Sequence, residues 1–268
     1  MMNLQGLGYQ SEFVFLNFDG QIENRGSYFV MRTLTNPNFF WGNPLVFSQP
    51  PKKGDHKKWI DLFKQEFTDP SIYHITLAWD NVQAGIGDVS EFLEQGFELE
   101  VKAVLTAEHV VPPPKLNLEM EVRTLQTTEE WQSMIELQVR SAHDNLPRHE
   151  WESFYTSQSL RYQKMSKAGL GNWYGGFMNG KLVAGLGLFY AHGIGRFQIV
   201  CTDPNVRRQG LCGTLVYKSA LQVFAENKVK TLVMCADPDY HAIKIYESVG
   251  FKRQKLEYGV YWWNKNRG

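Results

Sequence analysis

A run of consecutive prolines near the middle of the chain limits how the chain can divide into folded units. The run is Pro112-Pro113-Pro114, and it follows Val110 and Val111. Proline fixes φ and removes an amide donor, so successive prolines favour an extended spacer between packed units. The 268 residues also exceed the size of a typical domain, which is about 100–150 residues. We therefore predict two domains, residues 1–111 and 118–268, joined by a proline-rich linker at 112–117.

The second half alternates between helical and strand patterns. The predicted elements are a strand at 121–125, helices at 128–142 and 151–168, a hairpin of strands 173–178 and 182–190 about Asn179-Gly180, a strand at 197–202, a helix at 211–227, a strand at 231–236, a helix that begins at Pro238 and ends at Gly250, and two strands within 251–263. This order predicts a mixed sheet with helices between its strands.

The first half contains a partial repeat of that order. An amphipathic helix at 54–67, a strand at 73–79 and a short helix at 89–94 follow one another as the elements after residue 211 do. When residues 91–97 are aligned with 245–251, the Gly-Phe pairs match and Phe92 stands opposite Tyr246. A chance match explains so short an alignment equally well until the element order is added.

Charge and cysteine content limit the kinds of binding partner that we expect for this protein. Lysine plus arginine (28) equals aspartate plus glutamate (28), so no net charge attracts nucleic acid or an anionic membrane. No stretch approaches the roughly 20 apolar residues that span a bilayer, and the N-terminal sequence lacks a basic region followed by an apolar core. Cys201, Cys212 and Cys235 form no CxxC pair, which argues against a disulfide framework and a zinc site. We expect a cytoplasmic monomer or homodimer without nucleic-acid, membrane or metal partners.

A polar, glycine-containing loop between a strand and an amphipathic helix gives the strongest chemical signal. It contains Arg207, Arg208, Gly210 and Gly213. The amide groups of such a loop and the positive end of the helix can bind an anion such as diphosphate. The glycines allow close backbone approach, and the arginines can add charge-assisted hydrogen bonds. A solvated strand-to-helix turn explains the loop alone equally well, because glycine-rich loops are common.

A second motif downstream favours the anion site. The two segments read Arg-Arg-Gln-Gly-Leu-Cys at 207–212 and Asp-Tyr-His-Ala-Ile-Lys-Ile-Tyr-Glu-Ser-Val-Gly-Phe at 239–251. Together they resemble the cofactor loop, Arg/Gln-x-x-Gly-x-Gly/Ala, and the second motif, Asn-x-x-Ala-x-x-x-Tyr-x-x-x-Gly-Phe, of the GNAT superfamily of N-acetyltransferases. In this chain Cys212 occupies the last small position of the loop, and Asp239 replaces asparagine. The resemblance covers the second half of the chain.

The resemblance implies a fold, a donor and a set of roles. The fold is α/β (α+β), with two GNAT-like domains that each have a mixed, mostly antiparallel sheet flanked by helices, the N-terminal one being reduced. The donor is acetyl-CoA, a CoA thioester, held by Val200, Cys201, Thr202, Arg207, Arg208, Gln209, Gly210, Leu211, Cys212, Gly213, Thr214, Asp239 and Tyr246. The backbone of 200–202 pairs with the pantetheine arm, a primary amine attacks the thioester directly, and Tyr246 protonates the leaving thiolate as general acid. The alternative for Tyr246 is a packed aromatic on the inner face of a helix.

The general base cannot be identified from the sequence. Many relatives carry a glutamate on a central strand, where this chain has Cys201 and Met234. A nucleophilic Cys201 is one alternative, although a strand cysteine is more often a small core residue. The segment between the first two helices usually shapes the acceptor pocket in the family, so the candidate substrate residues are His143, Asp144, His149 and Glu150. We expect a small-molecule amine as acceptor.

The first half resembles a degenerate copy of the same domain. Its loop at 49–55 contains Pro50 and Pro51, which remove amide donors that a diphosphate would need, and Phe92 has no proton to give. We predict that this half neither binds the cofactor tightly nor catalyses transfer. Two alternatives to the small-molecule acetyltransferase are a catalytically silent acyl-CoA-binding regulatory module and an acetyltransferase that acts on protein N-termini or lysines.

Overall fold

The proline-rich segment lies within a compact unit of the protein. The computed structural model describes residues 4–80, 85–142 and 147–264. One unit comprises Met1–Val104 and Lys255–Gly268, and the other comprises Leu105–Gln254. This division differs from the predicted one at 112–117, because those residues belong to the second unit. Val111 N donates to Val249 O at 2.9 Å, and Pro113 is buried.

Seven helices and eleven strands make up the described regular structure. The helices are α1 (Leu7–Asp19), α2 (Asp55–Glu66), α3 (Ser90–Glu94), α4 (Thr128–Ser141), α5 (Arg148–Lys167), α6 (Leu211–Ala225) and α7 (Ala242–Ser248). The strands are β1 (Gly20–Asn24), β2 (Tyr28–Thr33), β3 (Leu45–Phe47), β4 (His74–Trp79), β5 (Glu98–Ala107), β6 (Glu121–Thr124), β7 (Gly171–Met178), β8 (Lys181–Ala191), β9 (Gly193–Thr202), β10 (Val229–Ala236) and β11 (Lys252–Trp263). Short 3-10 turns lie at Phe40–Gly42 and Pro204–Val206.

The sheet of the first unit has the strand order β1-β2-β3-β4-β11-β5. The β3–β4 pair is parallel, whereas β1–β2, β2–β3 and β4–β11 are antiparallel. Its core is rich in aromatic rings: Phe47 stacks on Trp59 with ring centroids 3.7 Å apart, and Phe92 is 1% exposed. Large aromatic side chains give this small unit most of its buried apolar area.

The sheet of the second unit has the order β10-β9-β8-β7-β6. The β9–β10 pair is parallel, whereas β8–β9, β7–β8 and β6–β7 are antiparallel. The β7–β8 hairpin turns at Asn179 and Gly180, whose φ values of 49° and 75° are those of a type I′ turn. The mixed, mostly antiparallel pairing of the strands, together with the flanking helices, confirms the predicted fold class.

Three predicted features differ from the structure. Helix α7 begins at Ala242 instead of Pro238, because Asp237 accepts hydrogen bonds from Asp239 N (2.8 Å, to Oδ1) and Tyr240 N (3.3 Å, to O) and so forms a turn first. Residues 252–263 form one strand, β11, instead of two. Elements α1, β1, β2, β3 and β5 were not predicted, because their sequences show no clear alternation or helical period.

The two units share a repeated arrangement of strand, loop, helix, parallel strand and short helix. Gly54 and Gly210 begin α2 and α6 in the same left-handed conformation, with φ of 88° and 78°. At the end of the short helices, Phe97 N donates to Phe92 O (3.1 Å) and Phe251 N donates to Tyr246 O (3.2 Å). Equivalent hydrogen bonds at the aligned positions support the predicted repeat.

A buried histidine gives the first unit a pH-dependent stability. His74 on β4 is 2% exposed, its Nδ1 lies 3.0 Å from Thr76 Oγ1, and its Nε2 lies 3.2 Å from Pro37 O. Burial lowers the pKa of His74 to about 4, against a small opposing effect of the Pro37 carbonyl. The ring is therefore neutral in the folded protein at neutral pH.

We expect the free energy of unfolding of the wild-type protein to decrease as the pH falls from about 6.5 to about 4. The unfolded histidine takes up a proton below its ordinary pKa of about 6.5 while the folded one stays neutral until about pH 4. The loss attributable to His74 between pH 7 and pH 4.5 is about 2–3 kcal/mol. Urea unfolding of wild type and His74→Gln at both pH values measures it. The variant should be less stable at pH 7 but lose less on acidification, and equal losses in both proteins would contradict the assignment.

Candidate functional site

The second unit contains a cleft of about 710 Å³ at the end of β9 and the start of α6. Most of the predicted donor-site residues line this cleft. They are Val200, Cys201, Thr202, Arg207, Arg208, Gly210, Leu211, Cys212, Gly213 and Tyr246. Residues far apart in sequence thus meet in one cavity.

Three predicted donor-site residues do not line the cleft. Thr214 is fully buried, and its Oγ1 accepts a hydrogen bond from Asn117 N at 2.8 Å. Asp239 is exposed in the turn before α7. Gln209 is exposed, and its carbonyl oxygen accepts a hydrogen bond from Asn117 Nδ2 at 3.0 Å. None of the three residues forms part of the cavity wall.

Strands β9 and β10 separate at the cleft. Their parallel pairing runs from Gly193 and Val229 to Arg196 and Val233 and then stops, although β9 continues to Thr202. On its other side β9 stays paired with β8 as far as Thr202. The edge of β9 that would face β10 over residues 197–202 therefore presents backbone donors and acceptors that no strand of the described part of the chain uses.

A bulge distorts β9 where it lines the cleft. Gln198 pairs with Gly187 and Cys201 with Gly185, so Ile199 and Val200 together stand opposite Leu186. Ile199 has a φ of 42°, an outlier for a β-branched residue. Such strained backbone conformations cluster at functional sites. The sequence offered no signal for this bulge, because isoleucine is an ordinary strand residue.

The first turn of α6 is an uncapped helix N-terminus. The amides of Leu211, Cys212 and Gly213 have no intrahelical acceptor, and no side chain caps the helix. Arg207 is half-buried and Arg208 is exposed, and neither forms an ion pair within the described ranges. Unsatisfied amides, the positive end of a helix and two arginines together favour an anion at this end of the cleft.

Tyr246 lies on α7 with its side chain against the cleft. It is 6% exposed, and its hydroxyl has no hydrogen-bond partner among residues 4–80, 85–142 and 147–264. Burial, followed by the nearby thiol of Cys212, raises the pKa of Tyr246 well above its ordinary value. The hydroxyl is therefore protonated at neutral pH and able to donate.

The two cleft cysteines are unsuited to nucleophilic attack. Burial raises the pKa of Cys201 and of Cys212 to about 12. Cys201 Sγ also donates to Gly185 O at 3.6 Å. Because the thiolate is the nucleophilic form, both side chains behave as small, neutral wall residues at physiological pH.

The predicted substrate residues lie outside the cavity wall or outside the described residues. His143 and Asp144 fall in the segment that the structure does not describe. His149 and Glu150 are in the first turn of α5, where His149 is exposed, and neither lines the cleft.

Polar residues of α4 and α5 that the sequence patterns did not indicate also line the cleft, namely Gln138, Ser141 and Tyr155. Gln138 is 4% exposed and has no hydrogen-bond partner in the described part of the chain. Ser141 Oγ is likewise buried without a partner there. A polar pair three residues apart on the buried face of α4 was the available signal.

The corresponding loop of the first unit has its amides already occupied. Gly54 N donates to Glu91 Oε2 at 2.6 Å, and Lys52 N donates to Asp55 Oδ2 at 2.8 Å. His56 Nδ1 also lies 2.9 Å from Glu91 Oε2. Hydrogen bonding from the Gly54 amide, and then from His56, lowers the pKa of Glu91. Two carboxylates of the protein therefore already accept hydrogen bonds from amides of this loop, those of Lys52 and Gly54.

Neither a membrane span nor a metal cluster is found in the described ranges. No helix there has the length and apolar character to cross a bilayer. No three side chains of His, Cys, Asp or Glu in the same ranges come together as a metal site.

Comparison with known proteins identifies the fold. Residues 174–261 match the family model described as FR47-like protein. No curated protein matches the chain. A conserved protein of unknown function from Staphylococcus epidermidis is similar over 94% of this chain and 97% of its own, with 14% identity and a TM-score of 0.73.

Two further solved structures carry descriptive names. A GCN5-related N-acetyltransferase from Kribbella flavida is similar over 96% of this chain and 95% of its own, with 14% identity and a TM-score of 0.64. A tandem GNAT protein from the clavulanic acid biosynthesis pathway is similar over 82% and 75%, with 12% identity and a TM-score of 0.54. The chain thus has the GNAT fold that these solved structures share.

Proposed function

We propose that the second unit transfers an acetyl group from acetyl-CoA to a primary amine of a small molecule. The observation that carries this proposal is the meeting of the free edge of β9 and the uncapped N-terminus of α6 in one cleft. An acyl donor that fits both features has an arm with amide groups, and this arm is attached to an anionic group. CoA thioesters have this combination, with a pantetheine arm and a diphosphate.

The backbone supplies most of the proposed donor contacts. The free edge of residues 197–202 can hydrogen-bond the pantetheine amides as an added strand would. The amides of 211–213, with Arg207 and Arg208, can hold the diphosphate. Gly213 lies buried in the first turn of α6, where the absence of a Cβ allows Pro113 to pack closely, at 3.1 Å from the position that a Cβ would take.

The proposed reaction needs one group that gives a proton to the leaving sulfur of the thioester. The bound thioester supplies an activated acyl carbon. The amine nitrogen forms a bond to that carbon, the carbon–sulfur bond breaks, and Tyr246 Oη gives its proton to the sulfur while the amine proton passes to solvent. Backbone amides at the β9 bulge can stabilise the negative charge that develops on the carbonyl oxygen, an effect worth a few kcal/mol per donor.

The proposed acceptor end of the cleft is formed by α4 and α5. Gln138, Ser141 and Tyr155 provide hydrogen-bonding groups beside Ile199. Buried polar groups without a protein partner, such as Ser141 Oγ within the described ranges, are usually satisfied by water or ligand. The three polar residues replace His149 and Glu150 as candidates for acceptor contacts.

A catalytically silent acyl-CoA-binding module is the second candidate function. It is favoured by one observation: no aspartate or glutamate lines the cleft in the described part of the chain, so no carboxylate base is in place. In both candidate functions we expect the first unit to bind no acyl donor, because Glu91 and Asp55 accept hydrogen bonds from the amides of Gly54 and Lys52 in its loop.

Acetyl-CoA should stabilise the wild-type protein against unfolding. At about 100 times its dissociation constant the expected gain is roughly 2.7 kcal/mol. The double variant Arg207→Gln, Arg208→Gln should need a higher concentration for the same gain, and Arg148→Gln serves as the control because its exposed guanidinium pairs with Glu152 at the surface. Denaturant unfolding with and without ligand measures the gain.

Turnover then separates the two candidate functions. CoA release that depends on an added amine, measured over a panel of small amines and peptides, supports the acetyltransferase and shows which kind of amine is used. Stabilisation without amine-dependent release supports the silent module. Absence of stabilisation would rule out both.

A further inference from the structure

The segment 113–117 lies against the proposed diphosphate loop and holds it by hydrogen bonds. Lys115 Nζ donates to Arg208 O at 2.6 Å. Asn117 Nδ2 donates to Gln209 O at 3.0 Å, and Asn117 N donates to Thr214 Oγ1 at 2.8 Å. We call residues 113–117 the strap. Its donors thus occupy two consecutive carbonyl groups of the loop and one side chain of α6.

These contacts determine which way the loop presents its polar groups. Because the strap donates hydrogen bonds to the carbonyls of Arg208 and Gln209, the oxygens of those peptide groups are held by protein donors. An anion at the loop would otherwise meet carbonyl oxygens, which repel it. The strap therefore favours the arrangement in which amides alone face the ligand.

The strap is itself rigid. Prolines 112–114 have a fixed φ, so little conformational entropy remains to be lost when the segment is placed. Asn117 Oδ1 accepts from Glu119 N at 3.1 Å and from Met120 N at 2.9 Å, which fixes the asparagine side chain that reaches the loop. Pro113 packs on Gly213, where an added Cβ would lie 3.1 Å from Pro113 Cβ. Pro113, Pro114 and Lys115 also line the cleft.

We propose that the strap is a positioning element for diphosphate recognition, in which Asn117 orients the loop and Lys115 adds a positive charge at its rim. This inference rests on the proposed function, because it takes a CoA thioester as the ligand of the cleft. It assigns to the proline-rich segment a role in choosing donors that carry a diphosphate over donors that carry only the pantetheine arm.

The test compares two ligands and three variants. Binding of CoA and of pantetheine, which lacks the diphosphate, is measured by calorimetry for wild type, Asn117→Ala, Lys115→Gln and Leu118→Ala. Leu118 is 82% exposed and follows Asn117 directly after the strap, which makes it the matched control. Loss of the Asn117 hydrogen bonds should weaken CoA binding about tenfold or more, with pantetheine binding unchanged. Lys115→Gln should also weaken CoA binding, more at low salt than at high salt.

The possible outcomes distinguish a failure of the strap proposal from a failure of the proposed function. CoA binding by Asn117→Ala and Lys115→Gln equal to that of wild type overturns the strap proposal alone. An equal weakening for CoA and pantetheine, with a loss of unfolding free energy in the absence of ligand, also overturns it, because it shows a general structural role. Lys115→Gln keeps the test decisive if Asn117→Ala does not fold, since Lys115 is exposed. No CoA binding by wild type overturns the proposed function and the strap proposal with it.

Discussion

Replacement of Gly210 by alanine should weaken CoA binding by at least about 100-fold, the largest effect we expect from a single substitution in the loop. Gly210 has φ of 78°, and a Cβ added at this position would overlap the backbone carbonyl oxygen of Lys115. A non-glycine residue in this conformation costs about 1–2 kcal/mol. The backbone of the strap or of the loop must also move, and either movement displaces the amides of 211–213. Calorimetric titration with CoA measures the loss.

Gly180 provides a control with the same backbone conformation. Its φ is 75°, and no atom lies within 4 Å of the position that a Cβ would take. Gly180→Ala should therefore lose about 1 kcal/mol of unfolding free energy and bind CoA as wild type does. Both variants bear the cost of the left-handed conformation, but only Gly210→Ala displaces the loop. If Gly210→Ala bound CoA with wild-type affinity, the loop would not be the diphosphate site.

The sequence was sufficient to predict the elements and motifs that rest on local patterns. The hairpin at Asn179-Gly180 and helix α4 lie close to where they were expected, because turn chemistry and helical periodicity act over a few residues. The loop at 207–213 also lies between a strand and a helix, as its glycine and arginine spacing predicted, and anion binding there stays a prediction. Ten of the predicted donor-site residues come together at the cleft that the fold forms.

Features that depend on contacts distant in sequence could not be predicted. The hydrogen bond from Asn117 to Gln209 joins residues 92 positions apart, and nothing local distinguishes Asn117 from any polar residue after a proline run. The proline pattern indicates a segment without regular secondary structure, but it does not distinguish a spacer from a strap. The packing of Pro113 on Gly213 and the hydrogen bonds of Lys115 and Asn117 distinguish them.

The loop of the first unit also depends on a contact between residues distant in sequence. Pro50 and Pro51 gave reason to expect a loop that binds anions poorly. The sequence did not show that Glu91, from α3, accepts the Gly54 amide. An internal carboxylate explains the expected lack of donor binding more directly than the prolines do, because it already accepts a hydrogen bond from an amide of the loop.

Tyr246→Phe should lower kcat by about 100-fold or more, with the KM for acetyl-CoA changed by less than about twofold, once an acceptor amine is known. General acids contribute about 100- to 10,000-fold. The substitution removes the hydroxyl and keeps the ring that packs on the inner face of α7, so binding of the donor should persist. Steady-state kinetics with saturating acceptor separate kcat from KM.

The pH dependence makes this prediction more specific. Because burial raises the pKa of Tyr246 well above its ordinary value, the hydroxyl stays protonated between about pH 7 and pH 9. The ratio of wild-type to variant kcat should therefore be constant over that range, and no fall in wild-type kcat there should come from this tyrosine. Tyr174→Phe is the control, since Tyr174 is also buried with a pKa raised by burial but does not line the cleft. Turnover by Tyr246→Phe equal to that of Tyr174→Phe would show that the Tyr246 hydroxyl has no catalytic role, and α7 would then contribute packing alone.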